Sequence, residues 1–230
     1  MAMLRSVPVR LDVRRAQLAA TFVAILVPLV ALGFLAEDVW AGQPFAWDAP
    51  LMEAARAFAS PAGDGAMVAA SIVGAPRAMF VVSAAVAGVL YRKGYRQRAA
   101  FMAISAGGAG LLNAAAKAMF RRERPDLWVP LVAEHDFGFP SGHAMGTMAV
   151  VLAIAVLAWG TRWRVLVAVV GAAFVALVGA SRVYLGVHFP SDVMAGWLAS
   201  AAWVMAVRAG VPFLGDAGRR RLAAYRAGRL

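Results

Sequence analysis

Apolar residues in this chain come in long unbroken runs separated by short polar clusters, without the every-other-residue alternation of an amphipathic strand. Runs over residues 16–35, 76–91, 99–120, 142–159, 165–182 and 191–207 each reach or approach the roughly 20 residues that cross a bilayer as a helix. The pattern predicts six transmembrane helices in a single all-α domain covering residues 1–230. The second run is the least sharply bounded: residues 66–75 are apolar as well, and Pro76-Arg77 interrupts the sequence between them. Continuous runs of this kind argue against a β-barrel.

Composition supports the same class. Of 230 residues, 62% are hydrophobic and 15% charged, against about half and a quarter in an ordinary soluble domain. The net charge of +11 would suggest a nucleic-acid partner in a soluble protein. Here the basic residues cluster in particular connections, so the positive-inside rule accounts for them and no nucleic-acid partner is expected. Arg5, Arg10, Arg14 and Arg15 precede the first run, Arg92, Lys93, Arg96 and Arg98 follow the second, and Arg162 and Arg164 follow the fourth. Six more arginines from Arg208 onward surround the tail RRRLAAYRAGRL, read as solvated or facing anionic lipid. The first long connection instead carries Glu37, Asp38, Asp48, Glu53 and Asp64 against Arg56.

This asymmetry predicts cytoplasmic basic termini (1–15 and 211–230) and outer connections at 36–75, 121–141 and 183–190. Within the first, PLMEAARAFAS reads as a short amphipathic helix on the membrane surface. The first apolar run lacks a small-residue cleavage site and reads as a retained helix. Gly107, Gly108 and Gly110 in the third run read as points of close helix approach. Small size and a composition rich in Arg and Ala suggest a bacterial-type inner membrane. Cysteine is absent, which excludes disulfides and thiolate chemistry.

Three polar clusters interrupt this apolar background: Lys117 to Arg124-Pro125, Pro140-Ser141-Gly142-His143, and Ser181-Arg182 to His188 and Asp192. Each has an ordinary reading. Lys117 and Arg124 could snorkel to the interface, Ser141 could cap a helix, and His188 with Asp192 could anchor a helix end. Arg121 and Arg122 read as solvated loop charge. With alternating helix directions, however, all three clusters fall at the same membrane face, which independent ordinary roles do not require.

Together they suit a tetrahedral oxyanion. Lys117, Arg124 and Arg182 supply charge and donors. The backbone N–H groups of Ser141 and Gly142 at a helix start add dipole-favoured donors, and Gly142 keeps the approach clear. Asp192, across Pro190 from His188, can fix the imidazole tautomer and leave the other nitrogen as nucleophile. His143 can protonate a leaving oxygen and later activate water. No acidic cluster accompanies these groups, so metal-independent chemistry without a cofactor is expected.

At these positions the sequence resembles the type 2 phosphatidic acid phosphatase (PAP2) superfamily, whose motifs are Lys-x6-Arg-Pro, Pro-Ser-Gly-His and Ser-Arg-x5-His-x3-Asp. The resemblance covers roughly residues 60–210, with every motif spacing kept. It implies a six-helix bundle like that of the family's integral-membrane branch, related to soluble vanadium haloperoxidases. It also implies a phosphohistidine on His188, acid–base work by His143, and phosphate binding by Lys117, Arg124, Ser141, Gly142, His143 and Arg182. The expected partners are a lipid phosphate substrate and membrane lipids, with the site on the periplasmic or extracellular side. A phosphotransferase using the same histidine, or a non-catalytic membrane protein, are the alternatives.

Overall fold

A computed structural model describes residues 8–211; the expectations for residues 1–7 and for the basic tail over 212–230 lie outside the described residues. All regular structure among the described residues is helical, in the order α1 (Pro8–Trp40), α2 (Asp48–Arg56), α3 (Pro61–Val73), α4 (Pro76–Arg92), α5 (Arg96–Phe120), α6 (Gly142–Ala158), α7 (Arg164–Tyr184) and α8 (Pro190–Gly210).

Prolines set several of these boundaries. Pro61, Pro76 and Pro190 each open a helix, where the missing N–H has no intrahelical role and the fixed φ is already helical. Pro76 also separates α3 from α4, which meet with a bend of 44°. The predicted amphipathic segment is present as α2, with Met52 buried. Residues 61–73, read as part of an outer connection, instead form α3 and pack against α7.

Helix α6 lies at the centre, in contact with α4, α5, α7 and α8, while α1 runs along α8. Phe101, Met102 and Ala109 of α5, Met145, Ala149 and Ala153 of α6, and Val204 and Val207 of α8 form the main buried cluster. Small residues allow the closest crossings. A Cβ on Gly196 would fall 2.9 Å from the Ala144 Cβ, so α8 and α6 meet almost backbone to backbone. Of the three α5 glycines only Gly108 serves this purpose, making room for the Trp203 indole, whereas Gly107 and Gly110 face open space. Trp203 also donates to the carbonyls of Ile104 and Ser105, at 3.2 Å each.

Large apolar side chains remain exposed on the outer surfaces, among them Phe22, Phe80, Leu111 and Val169. That inversion of the usual soluble surface suits a body solvated by acyl chains. Four helical stretches are long and apolar enough to cross a membrane: Leu18–Trp40, Arg96–Phe120, Arg164–Tyr184 and Pro190–Gly210. The count among the described residues becomes five if bent α3–α4 is one span, short of the six expected. Helix α6, the remaining run, has 17 residues and is about 26 Å long, less than a bilayer's roughly 30 Å core. Its N-terminal end is cut short at Ser141, where the chain turns into a polar centre.

Candidate functional site

The ends of four helices define this centre. Lys117 sits in the last turn of α5, Ser141 caps α6, Arg182 sits in the last turn of α7, and Asp192 is the third residue of α8. Arg124 comes from the loop after α5, and His188 from the short link between α7 and α8. The three sequence clusters therefore meet, as their shared sidedness predicts. Lys117, Ser141, Arg182, His188 and Asp192 are all buried.

His188 is held from two sides. Its Nδ1 lies 3.4 Å from Asp192 Oδ2, and its Nε2 lies 3.1 Å from Arg124 Nη1. Asp192 Oδ2 also accepts from the Phe189 N–H at 3.0 Å, which ties the carboxylate to the link carrying the histidine. A buried carboxylate at Nδ1 favours the tautomer with the proton there, leaving the Nε2 lone pair toward Arg124. Burial, then the charges of Arg124, Arg182 and Lys117, hold the His188 pKa well below its ordinary 6.5. The imidazole is thus neutral at neutral pH.

His143, at the second position of α6, lies in the field of Arg182, His188, Arg124 and Lys117. Ser141 differs from the expectation for it. Its N–H donates to the Asp192 carbonyl at 3.0 Å, and its Oγ accepts from the Ala144 N–H at 3.5 Å. Its backbone is therefore committed to joining α6 to α8, and it acts as an N-cap. The Ser141 N–H expected as an oxyanion donor is thus engaged with Asp192. Helix geometry leaves the N–H groups of Gly142 and His143, first and second in α6, without intrahelical acceptors. Gly142 matters for packing as well as access, because a Cβ there would come 3.1 Å from Asn113 Oδ1. Asn113, unremarked in the sequence, steadies this turn by donating to the Pro140 carbonyl at 3.0 Å.

Two acids absent from the motifs enter the pocket from the 121–141 loop. Asp136 pairs with Lys117 at 2.8 Å and with Arg124, while Glu134 pairs with Arg182 and lies 3.7 Å from Arg124. Burial alone would raise the Asp136 pKa, but hydrogen bonds and charge from Lys117 and Arg124 outweigh it and lower the value. Arg182 also donates to Ser71 of α3, while its buried Nε has no acceptor among the described residues. A carboxylate and a phosphate present similar oxygens to arginine, so Glu134 and Asp136 stand on the donors that an oxyanion would use. The spacing of the loop carried no sign of this, since both acids lie in irregular chain.

Arg122 is a clear correction. Read as solvated loop charge, it is 14% exposed and pairs with Asp192 at 2.6 Å and with Asp48 at 3.0 Å. Arg121, in left-handed conformation at the α5 C-cap, is exposed as expected.

The model of the PAP2 superfamily matches residues 98–215. The chain belongs to the PAP2 superfamily. Among its relatives, phosphatidylglycerophosphatase B of Bacillus subtilis is 42% identical over 92 residues, 38% of this chain and 45% of that protein. Undecaprenyl-diphosphatase of Sulfolobus acidocaldarius is 39% identical over 69 residues, 30% of this chain and 31% of that protein. The chain thus aligns with less than half the length of either of these curated relatives.

Solved structures extend the likeness over the fold. The transmembrane PAP2-type phosphatidylglycerolphosphate phosphatase from Bacillus subtilis superposes with a TM-score of 0.72 at 28% identity, covering 82% of this chain and 96% of that one. Aquifex aeolicus LpxE superposes with a TM-score of 0.59 at 22% identity, over 71% and 95% of the two chains, a likeness of fold. Together with the apolar helices, the transmembrane Bacillus subtilis relative supports a membrane location for this protein.

Proposed function

We propose that this protein is a lipid phosphate phosphatase, hydrolysing a lipid phosphomonoester or diphosphate through a phosphohistidine on His188. The observation that carries the reading is the placement of His188 between Asp192 at Nδ1 and Arg124 at Nε2. Phosphatase names among the relatives support the same class.

In the proposed mechanism, Lys117, Arg124 and Arg182 bind the phosphoryl oxygens, with Gly142 and His143 N–H groups at the dipole end of α6. His188 Nε2 attacks phosphorus, and a P–N bond forms as the bond to the leaving lipid oxygen breaks. His143 passes to that oxygen the proton that a monoanionic phosphoryl group carries into the site. Neutral His143 then takes a proton from water as the water oxygen attacks phosphorus, breaking the P–N bond and freeing phosphate and His188. Asp192 stabilises positive charge on the imidazole during both steps. The three cations supply the countercharge, so turnover is expected without a metal.

The positive-inside pattern supports a site at the extracytoplasmic face of the inner membrane, with cytoplasmic termini. An isoprenyl diphosphate of the undecaprenyl type is the first substrate to try, followed by phosphatidylglycerophosphate, phosphatidate and lipid A phosphates. Phosphate release from this panel by detergent-purified protein, with a chelator present, tests the proposal. His188→Ala is expected to abolish release and the acid-labile phosphoenzyme. Full activity in that variant would overturn the nucleophile assignment, and loss with chelator restored by magnesium would overturn metal-free turnover.

A further inference from the structure

The buried network behind Asp192 reaches beyond the residues matched by the family model, into the first outer connection. Asp192 Oδ1 accepts from Arg122 Nη1 at 2.6 Å, and the same nitrogen lies 2.7 Å from Ser191 Oγ. Arg122 Nη2 donates to Asp48 Oδ2 at 3.0 Å, while Asp48 Oδ1 accepts from the Ser191 N–H at 2.9 Å. Ser191 Oγ donates to Asp48 Oδ2. Asp48, the first residue of α2, thus satisfies an N-terminal donor of α8, 143 positions further along the chain. The Arg122 guanidinium lies over the Phe189 ring, 4.4 Å from its centre, and the Phe45 ring, at 5.6 Å.

The geometry assigns Arg122 and Asp48 a shared role: we propose that they are positioning residues, holding Asp192 charged and aimed at His188. This inference rests on the proposed phosphatase reading. Asp192 is wholly buried, and a carboxylate taken out of water is disfavoured as an anion unless a cation or several donors compensate. Arg122 is the cation in contact with it; Arg124 acts from further away. Protonated, Asp192 could not serve as the acceptor that keeps the Nδ1 proton in place. A single pair would still let the guanidinium rotate. Asp48 limits this by engaging the second guanidinium nitrogen, and the Phe189 and Phe45 rings pack against the group. Each donor of Arg122 that points into the network is committed there, so Arg122 acts on the chemistry through Asp192.

A mutant cycle distinguishes this from support of the fold alone. Arg122→Gln is expected to lower kcat by about thirtyfold with KM changed less than about threefold, because transition-state support is lost and phosphate donors are kept. In an Asp192→Asn background, which already lacks the carboxylate charge, the same substitution is expected to cost less than about threefold. Arg122→Lys, which restores a cation without the two-pronged contact, is expected to recover part of kcat. An equal loss in both backgrounds, or a loss carried by KM, would overturn the assignment. Should Arg122→Gln fail to yield folded protein, Asp48→Asn replaces it in the cycle with the same criteria. The wild-type and His188→Ala measurements come first: no turnover in the wild type defeats the phosphatase reading itself, whereas turnover with an additive cycle defeats only this inference.

Discussion

Two sets of arginine–carboxylate pairs flank His188, and they differ in how the acids are held. On the Nδ1 side, Arg122 meets Asp192 and Asp48, whose side chains are 0% and 4% exposed. Those acids sit in the first turns of α8 and α2, with further bonds to Phe189 and Ser191. On the Nε2 side, Lys117, Arg124 and Arg182 meet Glu134 and Asp136, which are 24% and 57% exposed and come from irregular chain. Moving Asp192 or Asp48 would strand buried charge and unmake helix ends. Moving Glu134 or Asp136 costs only pairings that water or another anion can replace. The first set is therefore a fixture, and the second is a set of fixed cations with exchangeable acids.

Neutralising the fixture should produce the largest effect. Asp192→Asn is expected to lower kcat by about a thousandfold with little change in KM, since it removes support for the imidazolium and leaves the phosphate donors in place. Steady-state kinetics check this, and a loss seen mainly in KM would break the distinction. Next comes loss of an anion donor. Arg182→Gln is expected to weaken inhibition by vanadate, a phosphate analogue, by about a hundredfold. That figure includes removal of the Nε donor left open by the protein.

Removing the exchangeable acids should work in the opposite direction. Glu134→Gln with Asp136→Asn is expected to tighten vanadate binding about fivefold and lower KM, because fewer carboxylates then compete for the cations. Unchanged or weaker binding would show that these acids serve the site and do not obstruct it.

The smallest effect concerns pH. His188 binds a proton less readily in the folded protein than in the unfolded chain, owing to burial and then Arg124, Arg182 and Lys117. Its contribution to stability is therefore complete above 6.5, its ordinary value, and is lost as pH falls from there toward the lower folded value. The melting temperature of the wild type should fall more steeply below that point than that of His188→Gln, and kcat/KM should show no acid limb from His188 at 6.5 itself.

Much of the site was legible in the sequence because its residues are polar groups in runs that otherwise exclude them. His188 and Asp192 stand four apart across a proline that opens a helix, and that spacing alone brings the two side chains together. Arg122 was not legible. Beside Arg121 and Glu123 it looks like any interfacial charge, and only the packing of Phe45, Phe189 and Asp48 around it shows otherwise. Glu134 and Asp136 were hidden for a related reason, since a loop has no periodicity from which to read direction. Residues 61–73 read as a connection because the length rule for spans looks for one straight run, and the bend at Pro76 divides this one.

By itself, then, the sequence determined the helical class, the apolar exterior and the meeting of three motifs at one end of the bundle. These follow from hydropathy and from side-chain spacing along single helices, which are local properties. Tertiary structure alone decided which carboxylate each cation would face. It gave Ser141 to the α6–α8 junction and placed Asp48 of α2 behind a carboxylate of α8. Such pairings depend on distances between segments far apart in the chain, and Coulomb energy in a buried site is governed by those distances and by the exclusion of water.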